Sequence, residues 1–479
     1  MTEPGDFTTT PEADDSELKA PLSQPVLGFV VFWCPEQPAH TGAFLPVLSD
    51  STGRPQIIGR GGALETDEYA RLEPELQRPS ANFRLAPFSS VSLSRSQLHV
   101  SPTEPKRLRV VNVGKCPLLV NGVSVTEAEV RVGDLLEIGR QLVLLCAERP
   151  LRLKGSAALI QHEFGDPDRH GIVGESPSVW DLRRAIAAIG GRPGHVLILG
   201  ASGTGKELIA RAVHSEGKPR GAFVARNAGT LPESLLDAEL FGNLKGYPNP
   251  GMLERAGLIG AAHEGSLFLD EIAELPISAQ THLLRVLDEG EYQRLGETAP
   301  RRSAFRLIAA TNQPESSLRA DVHARFTFRI HAPDLLQRRE DVVLIARFIL
   351  KKMAVDDAAL AARLFTELRE PRLSASLLRH LAGHPFPNNV RELRNLLWQA
   401  AITADAPVLG WNDATIDKSS ERPEATTLDA GASAIQRALD THNGSIERTW
   451  RALGLPNRFT LMRLIKKYGL RIQKEVQKN

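Results

Sequence analysis

The 479-residue chain is poor in cysteine and in aromatic residues, and it has no long apolar run. Its cysteines, Cys34, Cys116 and Cys146, are widely spaced and odd in number, which favours reduced thiols over a disulfide framework or a metal site. The acidic first residues lack the basic and apolar regions of a signal peptide. No apolar stretch approaches the ~20 residues that a membrane-spanning helix needs. We therefore expect a cytoplasmic protein without a membrane partner.

Charge of either sign is not in excess over the whole chain. With 58 basic and 57 acidic side chains, the net charge of +1 names no partner. The distribution is more informative, because residues 1–24 carry six acids and one lysine, whereas residues 431–479 carry ten basic and three acidic side chains. A basic end on a nearly neutral body predicts a polyanion partner there.

The pattern of predicted strands and helices changes several times along the chain and predicts several domains. A chain of this length is expected to contain about three. Short β-rich runs divided by turns predict an all-β sandwich, and strand–helix alternation predicts an α/β core with a parallel sheet. One of the predicted strands is a continuous run over 135–146. The predicted divisions are a disordered acidic tail (1–24), the sandwich (25–148), the α/β core (172–334), a helical region (335–403), a polar linker (404–430) and a basic helical end (431–479).

A glycine-rich loop lies between a predicted strand, His195–Leu199, and a predicted helix, Glu207–His214. Backbone N–H groups of such a loop surround a phosphate at a helix N-terminus, and Lys206 can reach the β- and γ-phosphates. This context predicts an ATP site, although Glu207 stands where the general motif has Ser or Thr. The predicted nucleotide-binding residues are Gly200, Ala201, Ser202, Gly203, Thr204, Gly205, Lys206 and Glu207.

An apolar strand that ends in two acids, Asp270 and Glu271, follows downstream. An aspartate at a strand end can hold Mg²⁺, and the next carboxylate can polarise a water for attack on the γ-phosphate. The alternative is a strand that simply ends in solvated acids. The phosphate loop favours the catalytic interpretation.

Residues 172–403 resemble the AAA+ ATPase domain of bacterial enhancer-binding proteins, which activate sigma-54 RNA polymerase. In that family Glu is usual after the loop lysine. The resemblance implies that Asn227 restrains Glu271, that Asn312 is the sensor I residue and that Arg391 reaches the nucleotide from a helical lid. It also implies that Arg319 and Arg325 are arginine fingers for a neighbouring subunit, and hence a homo-oligomer, expected to be a hexameric ring. The alternative for both arginines is a solvated helix surface.

One loop departs from this family. Its members usually carry Gly-Ala-Phe-Thr-Gly-Ala at the loop that touches sigma-54, whereas residues Gly246–Gly251 read Gly-Tyr-Pro-Asn-Pro-Gly. The two prolines fix φ and bias the residues before them towards extended backbone. We therefore expect ATP chemistry to be retained and stable contact with sigma-54 to be lost.

Residues 25–148 resemble a forkhead-associated (FHA) domain, a β-sandwich that binds phosphothreonine peptides through loops at one end. The resemblance implies that Arg60 and Arg95 pair with phosphate oxygens and that Ser94 and Asn112 complete the site. Gln97 stands where this family usually has His. The alternative is a sandwich kept for packing or oligomer contacts.

The basic end resembles the Fis-type helix-turn-helix, with predicted helices over 434–442, 445–453 and 457–468. The resemblance implies DNA binding at an upstream promoter or enhancer site. The alternative is a dimerisation hairpin with a basic face. The residues expected to meet the major groove and its phosphates are Arg458, Thr460, Met462, Arg463, Lys466 and Lys467.

Together these features predict an ATP-hydrolysing, DNA-binding transcriptional regulator of the sigma-54 activator type, controlled by a phosphothreonine-sensing domain and using Mg²⁺. Two alternatives remain open. One is a DNA-bound ATPase that acts on a target other than sigma-54, because of Gly246–Gly251. The other is a non-catalytic scaffold that binds phosphopeptide and DNA and uses nucleotide only as a conformational ligand.

Overall fold

The computed structural model describes residues 24–48, 55–62, 69–104, 106–404 and 406–411, together with isolated positions between 436 and 453. The chain divides into two compact units, residues 1–411 and residues 412–479. Of the second unit, positions 436, 439–441, 446 and 449–450 are helical. The predicted acidic tail up to residue 23 and the predicted DNA contacts from Arg458 to Lys467 lie outside the described residues. No helix among the described residues is long and apolar enough to cross a membrane.

The N-terminal region is a β-sandwich of two sheets, as predicted. Their strand orders are β10-β9-β12-β13-β1-β2-β5-β6 and β11-β8-β7-β3-β4. The described strands are β1 (Pro25–Trp33), β2 (Phe44–Pro46), β3 (Gln56–Ile58), β4 (Ala70–Arg71), β5 (Glu75–Arg78), β6 (Ala81–Arg84), β7 (Leu98–Glu104), β8 (Arg107–Asn112), β9 (Leu118–Val120), β10 (Val123–Val125), β11 (Glu127–Val130), β12 (Leu135–Ile138) and β13 (Leu142–Pro150).

The single strand predicted over 135–146 is wrong. A turn at residues 139–141 divides it into β12 and β13, which pair antiparallel with Leu136 opposite Leu144. Gly139 has a φ of +55°, a left-handed conformation that glycine adopts without steric cost. Apolar residues on both sides of the turn hid this hairpin in the sequence.

The α/β core has a parallel five-stranded sheet in the order β15-β16-β19-β14-β20, covered by helices. Strands β14, β16 and β19 are almost entirely buried, which explains their continuous apolar runs. The core elements are α1 (Pro177–Gly190), β14 (Val196–Leu199), α2 (Lys206–Gly217), β15 (Phe223–Asn227), α3 (Leu236–Phe241), α4 (Gly257–Ala261), β16 (Ser266–Asp270), α5 (Ile277–Glu289), the hairpin β17 (Glu291–Tyr292) and β18 (Arg301–Arg302), β19 (Arg306–Thr311), α6 (Ala320–His323) and β20 (Phe328–His331).

A helical lid follows the core, with helices α7 (Val342–Asp356), α8 (Ala358–Leu364), α9 (Ala375–Gly383) and α10 (Asn389–Thr403). The lid continues beyond residue 403, where the sequence predicted a linker. Leu409 is buried in the lid and exchanges backbone hydrogen bonds with Arg372 and Ser374, and Trp411 stacks on His380. The apolar residues of 408–411 therefore belong to the lid, and the predicted linker starts too early.

The sandwich and the lid share one hydrophobic core. Phe32, Trp33 and Leu135 belong to the same buried cluster as the side chains of α7. Leu344 on α7 lies against the sandwich turn at Gly42 and against Gly165, where an added Cβ would approach the leucine methyl groups to 3.2 and 3.1 Å. The sandwich and the lid are therefore packed against each other as one body and are not separate domains joined only by a linker.

We predict that Leu344→Ala lowers the free energy of unfolding by about 2–5 kcal/mol, because it leaves a cavity in this shared core. Val355→Ala on the same helix is the matched control, since Val355 is 85% exposed. Urea unfolding of the full chain measures both. Equal effects of the two substitutions would contradict a shared core at Leu344.

Candidate nucleotide site and its neighbouring loops

The glycine-rich loop connects β14 to α2, and its glycines allow the lid to approach it. Gly203 and Gly205 have φ values of +78° and +98°. A Cβ on Gly203 would lie 2.1 Å from the backbone oxygen of Asn388 in the lid. Any other residue at Gly203 would push the lid away from the loop.

Lys206, at the first position of α2, is buried inside the loop. Its Nζ donates to the carbonyl oxygens of Gly200 and Ala201, at 3.1 and 3.3 Å, and lies 3.7 Å from Oε1 of Glu271. Glu207 is exposed and pairs with Arg211 one turn later on α2. The residue that departs from the general motif therefore has a partner outside the loop.

Asp270 and Glu271 lie at the end of β16, which is separated in the sheet by β19 from β14, the strand that leads into the phosphate loop. Glu271 has a φ of +53°, an uncommon conformation for a residue with a side chain. Its Oε2 accepts a hydrogen bond from the backbone N–H of Asn312 at 3.2 Å, and its own N–H donates to Oδ1 of Asp270. Asn312 thus meets Glu271 through its backbone.

Asn227 lies in the same cleft as Glu271, but no hydrogen bond joins the two described side chains. The Asn227 Oδ1 accepts from the N–H of Gly229 at 2.9 Å instead. The structure therefore places the residue expected to restrain Glu271 beside the site, with its side-chain oxygen holding the turn that follows β15.

The lid closes one side of the cleft through the N-terminus of α10. Arg391 Nη1 donates to the Ser202 hydroxyl at 3.2 Å, and Asn389 Nδ2 donates to the Ser202 carbonyl at 3.0 Å. The Val390 N–H donates to the carbonyl of Gly203 at 3.1 Å. The lid arginine implied by the resemblance is therefore in contact with the phosphate loop.

The cleft has a volume of about 480 Å³, within the range of ligand sites. It contains a residue that the sequence analysis missed. Arg338 is buried at a kink just before α7, and burial lowers its pKa. The sequence signal that could have identified Arg338 is the run of charged residues over 338–341, directly after the core. Other lining residues that were missed are Ile172, Val173, Leu182, Ile345, Phe348 and Arg394.

Arg319 and Arg325 do not line this cleft. Arg319 pairs with Asp321 and donates to Thr281, and its hydrogen bonds lower the pKa of Asp321 to about 2. Arg325 pairs with Asp288 at 2.7 Å. Both guanidinium groups are partly exposed.

The altered loop Gly246–Gly251 is exposed, and its base is held by hydrogen bonds. The Gly246 N–H donates to the carbonyl of Met252 at 2.8 Å, closing the loop on itself. The Tyr247 ring lies against Gly296 in the neighbouring β17–β18 hairpin, where an added Cβ would be 2.8 Å from the ring. Buried Asn243 donates to two carbonyls of the loop base.

The sandwich loops implied to bind phosphothreonine meet around Gln97, which is fully buried. Its Oε1 accepts from the N–H of Ser94 at 3.2 Å, and its Nε2 donates to Oδ1 of Asn112 at 2.7 Å. Gln97, which replaces the usual His, therefore ties the loops together. The Asn112 Nδ2 also donates to the carbonyl of Cys116, so both ends of this amide are used within the scaffold.

The other expected phosphate ligands remain available at the surface. Ser94 Oγ accepts from the N–H of Lys115 at 2.9 Å, which leaves its hydroxyl hydrogen for another acceptor. Arg60 is half-buried and Arg95 is exposed. The backbones of three basic residues lie next to Ser94: the Arg60 N–H donates to the Ser94 carbonyl at 2.9 Å, the Lys115 N–H donates to its hydroxyl, and Arg95 follows it in the chain.

A phosphate loop after a parallel strand, a second strand of the same sheet that ends in Asp–Glu and a helical lid define an AAA+ ATPase. Comparison with known families agrees with this class. Residues 172–335 match a family described as the sigma-54 interaction domain, and residues 336–429 match the AAA+ ATPase lid domain.

Known regulators narrow the class to a family. The chain is 33% identical over 380 residues to the anaerobic nitric oxide reductase transcription regulator NorR of Aeromonas hydrophila, a match that covers 73% of each chain. It is 32% identical over 360 residues to the regulatory protein AtoC of Escherichia coli, covering 70% of this chain and 74% of AtoC. The chain belongs to the family of sigma-54-dependent AAA+ transcriptional regulators.

A solved structure is also similar in part. NtrX from Brucella abortus, in complex with ATP, is 28% identical with a TM-score of 0.45, and the match covers 62% of this chain and 69% of that chain.

We predict that Lys206→Ala abolishes nucleotide binding, because this buried cation is the group that can meet the phosphates. Glu271→Ala should bind nucleotide but lose turnover by about 10²–10⁴-fold, the contribution typical of a positioned base. Fluorescent-ADP titration and phosphate release measure the two effects. Glu367→Gln, an exposed lid carboxylate, should leave both unchanged. Full turnover by the Glu271 variant would refute the assignment.

Proposed function

We propose that this chain is a DNA-binding, cytoplasmic transcriptional regulator in which ATP hydrolysis is controlled by the N-terminal sandwich. The observation that carries the proposal is the meeting of Lys206, Glu271 and Arg391 around one cleft, each supplied by a different part of the ATPase region. A cation for the phosphates, a carboxylate for water and a lid residue on the phosphate loop together suit ATP hydrolysis.

Mg²⁺ fits the donor set at the end of β16. Carboxylate oxygens are the ligands that Mg²⁺ prefers, and Asp270 offers them at the strand end beside the phosphate loop. We propose Asp270 as the residue that holds the ion. When bound, Mg²⁺ would neutralise charge on the β- and γ-phosphates.

The protein's own residues would do the rest of the work. Glu271, held by the Asn312 N–H and facing Lys206, would orient and polarise the attacking water. Lys206 and the loop N–H groups would stabilise charge on the phosphates. Arg391 lies on lid helix α10 and contacts the phosphate loop, so that binding of a phosphate there would change the position of the lid through this residue.

Arg319 and Arg325 are proposed to act on the nucleotide of a neighbouring subunit in a homo-oligomer, expected to be a hexameric ring. Neither arginine lines the chain's own cleft and both are partly exposed, which supports action in trans. A guanidinium supplied in trans stabilises the transferring phosphoryl group. A monomer would then hydrolyse ATP slowly.

DNA binding is proposed for residues 431–479 on sequence grounds alone. The net charge of +7 and the resemblance to a Fis-type helix-turn-helix support an upstream promoter or enhancer site.

The sandwich is proposed to sense a phosphothreonine protein through Arg60, Arg95 and Ser94. Basic residues on the loops next to an available hydroxyl hydrogen suit a phosphate group, whereas Asn112 would hold the loops rather than the ligand.

We predict that the full chain binds a phosphothreonine peptide more tightly than its unphosphorylated twin and that Arg60→Ala reduces this difference by about 1.5–3 kcal/mol, as expected for a charge-assisted hydrogen bond. The full chain is used because the sandwich shares a core with the lid. Arg107→Ala is the matched control, because Arg107 pairs with Glu129 away from these loops. Equal binding of both peptides across a diverse library would favour a purely structural sandwich.

A second candidate function is regulation through a target other than sigma-54. The altered loop Gly246–Gly251 favours it. This loop is closed on itself by the Gly246–Met252 hydrogen bond, and its Tyr247 ring packs against Gly296 of the neighbouring hairpin. Pro248 and Pro250 further restrict its backbone.

We predict that the protein forms no stable complex with sigma-54 when it is trapped with ATP transition-state analogues, although it hydrolyses ATP. Gel-shift trapping beside a regulator that carries the usual Gly-Ala-Phe-Thr-Gly-Ala loop provides the positive control. A stable complex that disappears on Tyr247→Ala would refute this prediction and show that the loop variant still performs the family's output.

A further inference from the structure

One side chain of the sandwich joins the ATPase core to the start of the lid. Arg149, at the end of β13, is 1% exposed. Its Nη2 donates to the backbone carbonyl of Glu175 in the core, and its Nε lies 3.1 Å from Oε1 of Glu340, just before lid helix α7. Arg149 therefore contacts the core and, at the same time, the hinge, the segment Leu335–Asp341 that joins the core to α7.

The core side of this contact is anchored by further buried groups. The Glu175 carboxylate accepts from the N–H of Gly165 at 2.8 Å and from Nε1 of Trp180 at 3.1 Å. Arg78, a second sandwich residue, lies 3.3 Å from the same carboxylate, and both charged groups are at most 5% exposed. The segment around Glu175 is thus held rigidly to the sandwich.

The lid side is tied to the same segment. Asp341, next to Glu340, accepts hydrogen bonds from the backbone N–H groups of Glu175 and Ser176 at 2.7 and 3.0 Å. The hinge therefore has two bridges, one within the ATPase and one through Arg149. Both end on the same short stretch of core.

The core segment before Glu175 and the hinge segment before Glu340 also form walls of the nucleotide cleft. Ile172 and Val173, just before Glu175, line it on the core side. Arg338, two residues before Glu340, lines it on the hinge side. Because protein interiors are close-packed, a displacement at Glu175 or Glu340 is transmitted to these neighbours.

We propose that Arg149 is a positioning residue for nucleotide binding: by bridging Glu175 and Glu340 it sets the spacing between the core and hinge walls of the cleft. The sandwich is then a permanent part of the nucleotide site rather than a removable cover. This inference does not depend on phosphopeptide binding. Removing the guanidinium leaves the Glu340 carboxylate, which is only 14% exposed, without its cation. A movement of Glu340 towards water relieves this cost.

A matched contact elsewhere in the same interface provides the control. Arg379 on α9 forms a two-point ion pair with the buried Glu137 of β12, at 2.7 and 3.0 Å. This pair also joins the sandwich to the lid through a buried charge. The Arg379–Glu137 pair does not touch the core segment around Glu175. Loss of this pair should therefore weaken the packing between sandwich and lid without changing the cleft.

The test is a fluorescent-ADP titration of the full chain, with ATP turnover and thermal unfolding measured beside it. Arg149→Met should raise the Kd for ADP by about tenfold, equivalent to ~1.4 kcal/mol, with kcat at saturating ATP nearly unchanged. Arg379→Met should lower the melting temperature but leave the Kd within about threefold, a difference of under 1 kcal/mol.

Arg149→Lys keeps the charge but can reach only one partner at a time, and it should give an intermediate Kd. This variant carries the test if Arg149→Met does not fold. The proposal is overturned if the Arg149 variants unfold at lower temperature yet bind ADP like the wild type, or if the Arg149 and Arg379 variants raise the Kd equally.

Discussion

The interactions of the buried Glu175 carboxylate are those on which the arrangement of the described sandwich, core and lid depends. Its charge is compensated by Arg78 of the sandwich and by hydrogen bonds from Gly165 and Trp180. A buried charge that loses its partners costs several kcal/mol. Sandwich, connecting segment and ATPase core are therefore held together at one point, and the apolar core shared with the lid fixes the remaining orientation.

This arrangement constrains how the sandwich can influence the ATPase. A ligand shifts an equilibrium only by its differential affinity for the two states, and coupling between two sites is reciprocal. A sandwich that touches both core and lid meets the structural requirement, because a change in hinge angle must alter Arg149 or Arg379 contacts. For the phosphopeptide binding proposed above, reciprocity means that the affinity for peptide would depend on bound nucleotide as strongly as the affinity for nucleotide depends on bound peptide.

The parts of the site that are local in sequence were predictable. The phosphate loop and the Asp270–Glu271 pair each lie within a few residues of one strand, so strand, turn and charged residues are read together. Contacts between distant segments were not predictable. Arg338 reaches the cleft through a kink, and Arg149 meets Glu340 across 191 positions of sequence; neither carries a local pattern that distinguishes it from a surface arginine. The hairpin at Gly139 was missed because apolar residues flank a turn of ordinary composition.

Departures from a family pattern have different physical meanings in the sandwich and in the ATPase core of this protein. At Gln97 the replacement of His preserves the scaffold, since the amide donates and accepts hydrogen bonds that hold Ser94 and Asn112 in place. At Gly246–Gly251 the replacement changes the exposed surface itself, while the buried Asn243 keeps the loop base intact. A scaffold substitution is neutral for function when the loops keep their shape, whereas a change at an exposed tip alters what can be recognised. The structure therefore separates an ATPase whose chemistry is preserved from an output surface that has diverged.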